Sequence, residues 1–395
     1  MIFCLLLLMG LLLRCYYIDW NKELTGDEVG YNKMVLQLLH EGIYGYAPYA
    51  SSEQPNAFTT PGYPLFLAGC YLVFGYANDQ PPIVQIQALQ LLIQLLCALL
   101  MYRISNRLFE HSGISLFVMG CFLLHPTFIL SPLFLLTETL YGFFFLLFVY
   151  FLVIAMQKGR LREYFWIGIL FGVCILIRPT IVPFILILIA GIAVKHRRGG
   201  IVQVLRPVCL VVAGFLLMLL PWWIRNVMSL HKIVWLAEQS GNPLLWGSFP
   251  FTRRPAVDPT EDPAEMGKMA YQRIINGFRS DFFTYLSWYT WGKMMYFIQN
   301  IFPRLGFITE NLVIRMIIRT IHVAMALAGF AGLLKMLVHE RRNGSYLLLA
   351  LLAFCSVVLY LPFSPTPRYF YPTLPLCFLG MGYLILCIQR RRRKL

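Results

Sequence analysis

The sequence predicts an all-α polytopic membrane protein: a bundle of about ten transmembrane helices, with amphipathic membrane-plane helices in its outer loops. Three observations predict it. Of 395 residues, 59% are hydrophobic and only 13% charged, against about 25% charged in an ordinary soluble domain. Apolar runs recur near residues 1–18, 83–102, 113–131, 133–156, 164–178, 180–195, 206–223, 320–338, 345–362 and 369–389, and each is read as crossing a bilayer core of about 30 Å. The connections between them alternate, without exception, between short basic loops and loops that are not basic.

Taken in order, "MIFCLLLLMGLLLRCYYIDW" has no basic leader and no small-residue cleavage site, so it reads as an uncleaved first span. An outer loop follows over 19–82. In it, Thr25 and Glu28 have the spacing of a capping box ahead of Met34, Val35, Leu38 and Leu39, and Gly42 is the expected stop. This predicts a helix lying in the membrane plane. The apolar segment 59–76 is short after its prolines. If it spanned, every later loop would invert, so it reads as interfacial or re-entrant. The short loops "RISNRLFEHSG", "QKGRLREY", "KHRRGG" and "KMLVHERRNG" and the tail "RRRRKL" are basic. They are assigned to the cytoplasm together with both termini. Only Glu110, Glu163 and Glu340 of eighteen carboxylates fall on that side. The net charge of +15 therefore reads as topology and anionic lipid, not as nucleic-acid binding. In the second outer loop, 225–319, Asp262 and Pro263 open a helix as N-cap and first helical residue. Residues 280–299 carry an aromatic belt suited to the membrane interface. The chain divides into an N-terminal transmembrane module (1–224), this extracytoplasmic region (225–319) and C-terminal helices with a basic tail (320–395). The ten cysteines lie mostly in apolar runs, with neither zinc spacing nor a disulfide framework. No glycine-rich phosphate loop supports nucleotide binding.

The ionisable residues with chemical potential collect at the outer ends of spans. Asp27 and Glu28 follow the first; Glu138 opens the fourth; Arg178, Arg225 and Arg368 sit in "ILIRPT", "PWWIRN" and "PTPRYFYP". A charged group inside an apolar span costs roughly 2.5–3.5 kcal/mol, so such groups tend to face a polar cavity and a partner. Each also has a plainer reading. Asp27 and Glu28 cap a helix, the arginines reach lipid phosphates, Glu138 rests at headgroup depth, and His125 is structural. Carboxylates and arginines offered on one face suit glycosyl transfer from a lipid-linked sugar phosphate. A carboxylate takes the acceptor's proton. The leaving phosphate needs arginine, lysine or a divalent metal ion, for which Asp27 and Glu138 are the candidate ligands. At a helix N-terminus the base and ligand roles of Asp27 compete. A transporter or flippase of lipid-linked saccharides, or a non-catalytic scaffold, are the competing readings.

"GDEVGY", "TTPGYPLFLAGCYLVFG", "SPLFLLTETLYGF", "GILFGVCILIRPTIV", "PWWIRN" and "PRYFYPTLP" occur in that order. The ordered set resembles the bacterial family 39 glycosyltransferases of the GT-C superfold, which are similar to protein O-mannosyltransferases and to the aminoarabinose transferase of lipid A. The resemblance implies an inverting transferase in the cell membrane with its active site on the extracytoplasmic face. It implies a polyprenyl-phosphate sugar donor and a lipid, glycan or protein acceptor. It places the catalytic acid, as base or metal contact, on Asp27, the second acid on Glu28 and the fourth-span acid on Glu138. The family's arginines fall on Arg178 and Arg225. Many relatives carry Lys-Pro-Pro where this chain has Thr60-Pro61-Gly62.

Overall fold

The computed structural model describes residues 1–46, 54–238, 241–252 and 263–392. In order, the helices are α1 (Ile2–Tyr16), α2 (Asp27–Glu41), α3 (Gly62–Phe74), α4 (Ile83–Phe109), α5 (Ser112–Leu124), α6 (Pro126–Leu130), α7 (Thr137–Lys158), α8 (Leu161–Ile177), α9 (Phe184–His196), α10 (Ile201–Leu230), α11 (Gly241–Gly247), α12 (Pro263–Ser280), α13 (Phe282–Ser287), α14 (Lys293–Gln299), α15 (Leu312–His339), α16 (Gly344–Val358) and α17 (Thr373–Arg392). The expected N-cap of α12, Asp262, lies outside the described residues.

Every apolar run of the sequence forms helix, and the chain is an all-α polytopic membrane protein. The count of about ten crossings is not reached by length. Among the described residues five helices are long and apolar enough to cross, or six if the pair over 112–133, bent by 59°, is one span. Prolines are part of the reason; α1 and α16, at 15 residues each, are short without one inside. Pro126 separates α5 from α6, and Pro179 and Pro183 stand between α8 and α9, so each piece falls short of the ~20 residues a straight crossing needs. At 13 residues, α3 is also below that length.

One continuous apolar core joins the first and last parts of the chain. α17 packs on α15, α5 and α4, and α16 packs on α7 and α9. Lipid-facing surfaces give no hydrophobic drive for helices to associate, so close backbone approach does more of the holding. Glycine provides it at two crossings. A Cβ on Gly168 of α8 would lie 2.1 Å from the Val211 carbonyl oxygen of α10, and one on Gly332 of α15 would lie 2.0 Å from that of Gly380 on α17. The second crossing holds α17 against α15, and Arg368 stands in the turn ahead of α17.

α2 begins one residue later than the capping-box spacing suggests. Its N-cap is Gly26, at φ 55°, a left-handed position that glycine adopts without strain. Half of the box survives: the Thr25 amide donates to Glu28 Oε2 at 3.2 Å, while the Thr25 hydroxyl donates to the same oxygen instead of capping. The stop is where it was expected. Gly42 is left-handed and its amide donates to the Leu38 carbonyl.

Candidate active site

Four charged side chains meet where α2, α7, α8 and the turn before α17 converge. Asp27 is the first residue of α2. Glu138 is the second of α7. Arg178 ends α8, and Arg368 lies in the 3-10 turn Pro367–Phe370. They alternate in sign. Arg368 Nη1 donates to Asp27 Oδ2 at 2.5 Å, and Arg368 Nε lies 3.9 Å from Glu138 Oε1. Arg178 Nη2 donates to that same Glu138 oxygen, and Arg178 Nε donates to the Thr137 hydroxyl at 2.7 Å. The set is charge-balanced, which is how a buried carboxylate such as Glu138, 1% exposed, is retained. Two buried donors nevertheless have no hydrogen-bond partner among the described residues: Arg178 Nη1 and Arg368 Nε.

A cavity of about 450 Å³ opens over this cluster. Asp27, Arg178, Arg368, Thr60 and Thr137 form its polar end, and Val182, Leu236, Leu359 and Phe363 contribute apolar wall. Glu138 does not line it; it lies beneath and holds both arginines in place. Tyr31 also lines the cavity, one helical turn along α2 from Asp27 and on the same face. Burial, and after it the Asp27 carboxylate, pushes its phenol up to about 12, so it stays a neutral hydroxyl at neutral pH. Across the cavity the rings of Tyr360 and Tyr369 stack at 4.3 Å, and the Tyr360 hydroxyl is 2.8 Å from that of Thr180.

The other sequence candidates go elsewhere. Glu28 is buried and outside the cavity lining. Its carboxylate accepts from Lys22 Nζ at 3.1 Å, from Thr25 twice, and from the Leu135 amide at 2.8 Å. It ties the start of α2 to the approach of α7, which is structural work. Glutamine does not preserve this arrangement, because its NH2 would face donors. Glu28→Gln is therefore expected to lower stability by about 1–3 kcal/mol, read as a lower melting temperature, with turnover per folded molecule little changed. Arg225 is likewise committed. It donates to the carbonyls of Tyr44 at 2.7 Å and Asn56 at 2.9 Å and lies over the Tyr44 and Trp222 rings. It fastens the backbone at Tyr44 and Asn56 to α10 and is absent from the cavity lining. Arg225→Ala should loosen that attachment and leave donor KM near the wild-type value; a KM raised as far as by Arg178→Ala would return Arg225 to the site. His125 caps α6, accepting from the Thr127 amide, and its other nitrogen is 2.9 Å from His322.

The donor set does not fit a divalent metal. Asp27 and Glu138 are the expected ligands, but Arg368 stands between them. A cation there would meet two guanidinium groups. Among the described residues no three His, Cys, Asp or Glu side chains are grouped to hold an ion.

Sequence reasoning did not single out Lys22, Thr137 or Tyr31. Tyr31 was legible in principle, four residues after Asp27 on a predicted helix. The other two depend on contacts between distant elements.

Residues 57–224 match the family described as dolichyl-phosphate-mannose-protein mannosyltransferase. Among solved structures, the chain is similar to the oligosaccharyltransferase of Archaeoglobus fulgidus in complex with Zn and sulfate, with TM-score 0.59 and 12% identity over 98% of this chain and 49% of that one. It is also similar to AglB from the same organism in complex with an inhibitory peptide and a dolichol-phosphate, with TM-score 0.56 and 12% identity over 98% and 51% of the two chains. A looser likeness, TM-score 0.44 with 14% identity over 96% and 77%, is to ArnT from Cupriavidus metallidurans bound to undecaprenyl phosphate. The chain spans about half the length of the oligosaccharyltransferases it matches. No curated protein sequence matches it. The fold is GT-C, the architecture of membrane-embedded glycosyltransferases.

Proposed function

We propose that the chain is an inverting glycosyltransferase, moving one sugar from a polyprenyl-phosphate donor to an acceptor hydroxyl at the outer face of the cell membrane. The observation that carries this reading is the placement of two arginines, Arg178 and Arg368, with one carboxylate, Asp27, in the lining of a single cavity. Two guanidinium forks suit a phosphate. The apolar wall suits the lipid that carries it. The dolichol-phosphate bound by AglB and the mannosyltransferase family match support the same donor class.

The reaction is a single displacement. The acceptor oxygen bonds to the anomeric carbon as the bond from that carbon to the phosphate oxygen breaks. The electron pair leaves with the phosphate, which departs as a lipid monophosphate, so no general acid is needed. Arg178 and Arg368 stabilise the charge that develops there. Asp27 accepts the acceptor's proton. In the unliganded protein Arg368 holds Asp27 by a short charge-assisted bond. A donor phosphate competes for Arg368 and leaves the Asp27 carboxylate free to meet the acceptor hydroxyl. One displacement inverts the anomeric centre.

The test uses the purified full chain in nanodiscs with a panel of radiolabelled polyprenyl-phosphate sugars and with hydroxyl-bearing lipid, glycan and peptide acceptors. Transfer with inversion, or slow hydrolysis of the donor without acceptor, is expected. Movement of intact donor between leaflets of a vesicle, with no bond cleaved, would replace this reading with that of a flippase.

A further inference from the structure

Lys293 is a fully buried lysine that the chemistry above does not use. It is 0% exposed and makes no ion pair among the described residues. Its ammonium donates to two backbone carbonyls, those of Leu361 at 2.6 Å and Pro362 at 3.3 Å, and lies 3.8 Å from the centre of the Tyr289 ring. Burial pushes its pKa down to about 7, a measure of how unfavourable the placement is. The backbone is shaped to make it. Residues Trp288–Gly292 form a π turn between α13 and α14, closed by the Lys293 amide donating to the Trp288 carbonyl. Such a turn shifts the helical register by one residue, and these turns are frequent at functional sites.

The tethered carbonyls belong to the segment that builds one side of the cavity. Leu359, Tyr360 and Phe363 line it, and Arg368 follows five residues after Phe363. The same segment is gripped at two further points. The Ser364 amide donates to the Pro243 carbonyl at 2.7 Å. Gly247 lies so close that a Cβ there would be 2.4 Å from the Phe363 backbone carbon. Trp288 donates its indole N–H to the Gly247 carbonyl at 3.0 Å, and α14 packs on the 3-10 turn that carries Arg368.

We propose that Lys293 is a positioning residue for this site: it anchors residues 359–368 from the second outer loop, and so sets the cavity wall and the place of Arg368. This rests on the reading of the cavity as the donor site. The ammonium is suited to the task because carbonyls 361 and 362 lie outside any helix ladder, and a single cation can satisfy both.

Two measurements on Lys293→Met and Lys293→Gln test it. Methionine fills the apolar stem's space and removes every donor; glutamine keeps two N–H groups. Hydrogen exchange of the full chain, without substrate, should show faster exchange over residues 359–370 in the methionine variant, with partial recovery in the glutamine one. Unchanged exchange there overturns the proposal whatever the enzyme does. With a lipid-linked donor, Lys293→Met should raise donor KM about tenfold, the scale of one charge-assisted hydrogen bond, and Lys293→Gln should raise it less. A fall in Vmax at wild-type donor KM would mean only less folded protein and would also overturn it. If the wild-type chain uses no such donor, the transferase reading fails, and hydrogen exchange alone decides for or against the anchor.

Discussion

Asp27→Asn should reduce turnover by about 10²–10⁴-fold, the usual contribution of a general base, while the protein folds and binds donor. Asparagine keeps the shape of the side chain, and its amide oxygen can still accept from Arg368 Nη1, the bond that holds Asp27 at 2.5 Å. The substitution therefore removes the basic oxygen and little else. Asp27 is about two-fifths exposed at its side chain, so loss of its ion pair costs little stability, on the scale of 0–1 kcal/mol for exposed pairs. The two effects separate cleanly: a large loss in kcat, a small change in melting temperature. Near-normal turnover in the folded variant would remove Asp27 from the chemistry.

What the sequence revealed, and what it hid, follows from which interactions are local. Helices were legible because an apolar run long enough to meet a bilayer has few alternatives, and the end of α2 was legible because Gly42 caps within its own turn. The start of α2 falls one residue beyond its expected place, since Gly26, a residue with no cap side chain, takes the N-cap position that the spacing assigns to Thr25. Arg225 and Arg368 presented the same signal, an arginine at the outer edge of an apolar run. Their fates differ because of partners 181 and 341 positions away in the chain. No periodicity encodes such a pairing. Glu28 and Asp27 are adjacent, yet successive helical residues point about 100° apart. One therefore turns to the cavity and the other to Lys22 and Leu135. Lys293 carried a signal that could have been followed: a lone lysine within an aromatic run, "WYTWGKMMYF", has to find a partner.

Glu138→Gln should be the most damaging conservative change in the protein. The carboxylate accepts from Arg178 and neighbours Arg368 from a position 1% exposed. Neutralising it leaves two guanidinium groups facing each other with no anion between them except Asp27 at the rim. Breaking a buried pair from one side costs about 3–5 kcal/mol. The remaining carboxylate then has two cations to serve, and the donor phosphate meets arginines no longer held in place. Both stability and donor KM should suffer, in contrast to Asp27→Asn. A double-mutant cycle with Arg178→Gln distinguishes a positioning role from a catalytic one. If Glu138 acts by holding Arg178, the double variant should be more stable than the sum of the two single losses predicts, by a coupling of about 0.5–3 kcal/mol, because the buried charge left unpaired in Glu138→Gln is gone. Turnover in Glu138→Gln should then fall no further when Arg178 is also replaced. Additive losses in stability and in rate would mean that Glu138 and Arg178 act separately. Glu138 would then have to be reconsidered as a group that meets the substrate itself, against its position beneath the cavity.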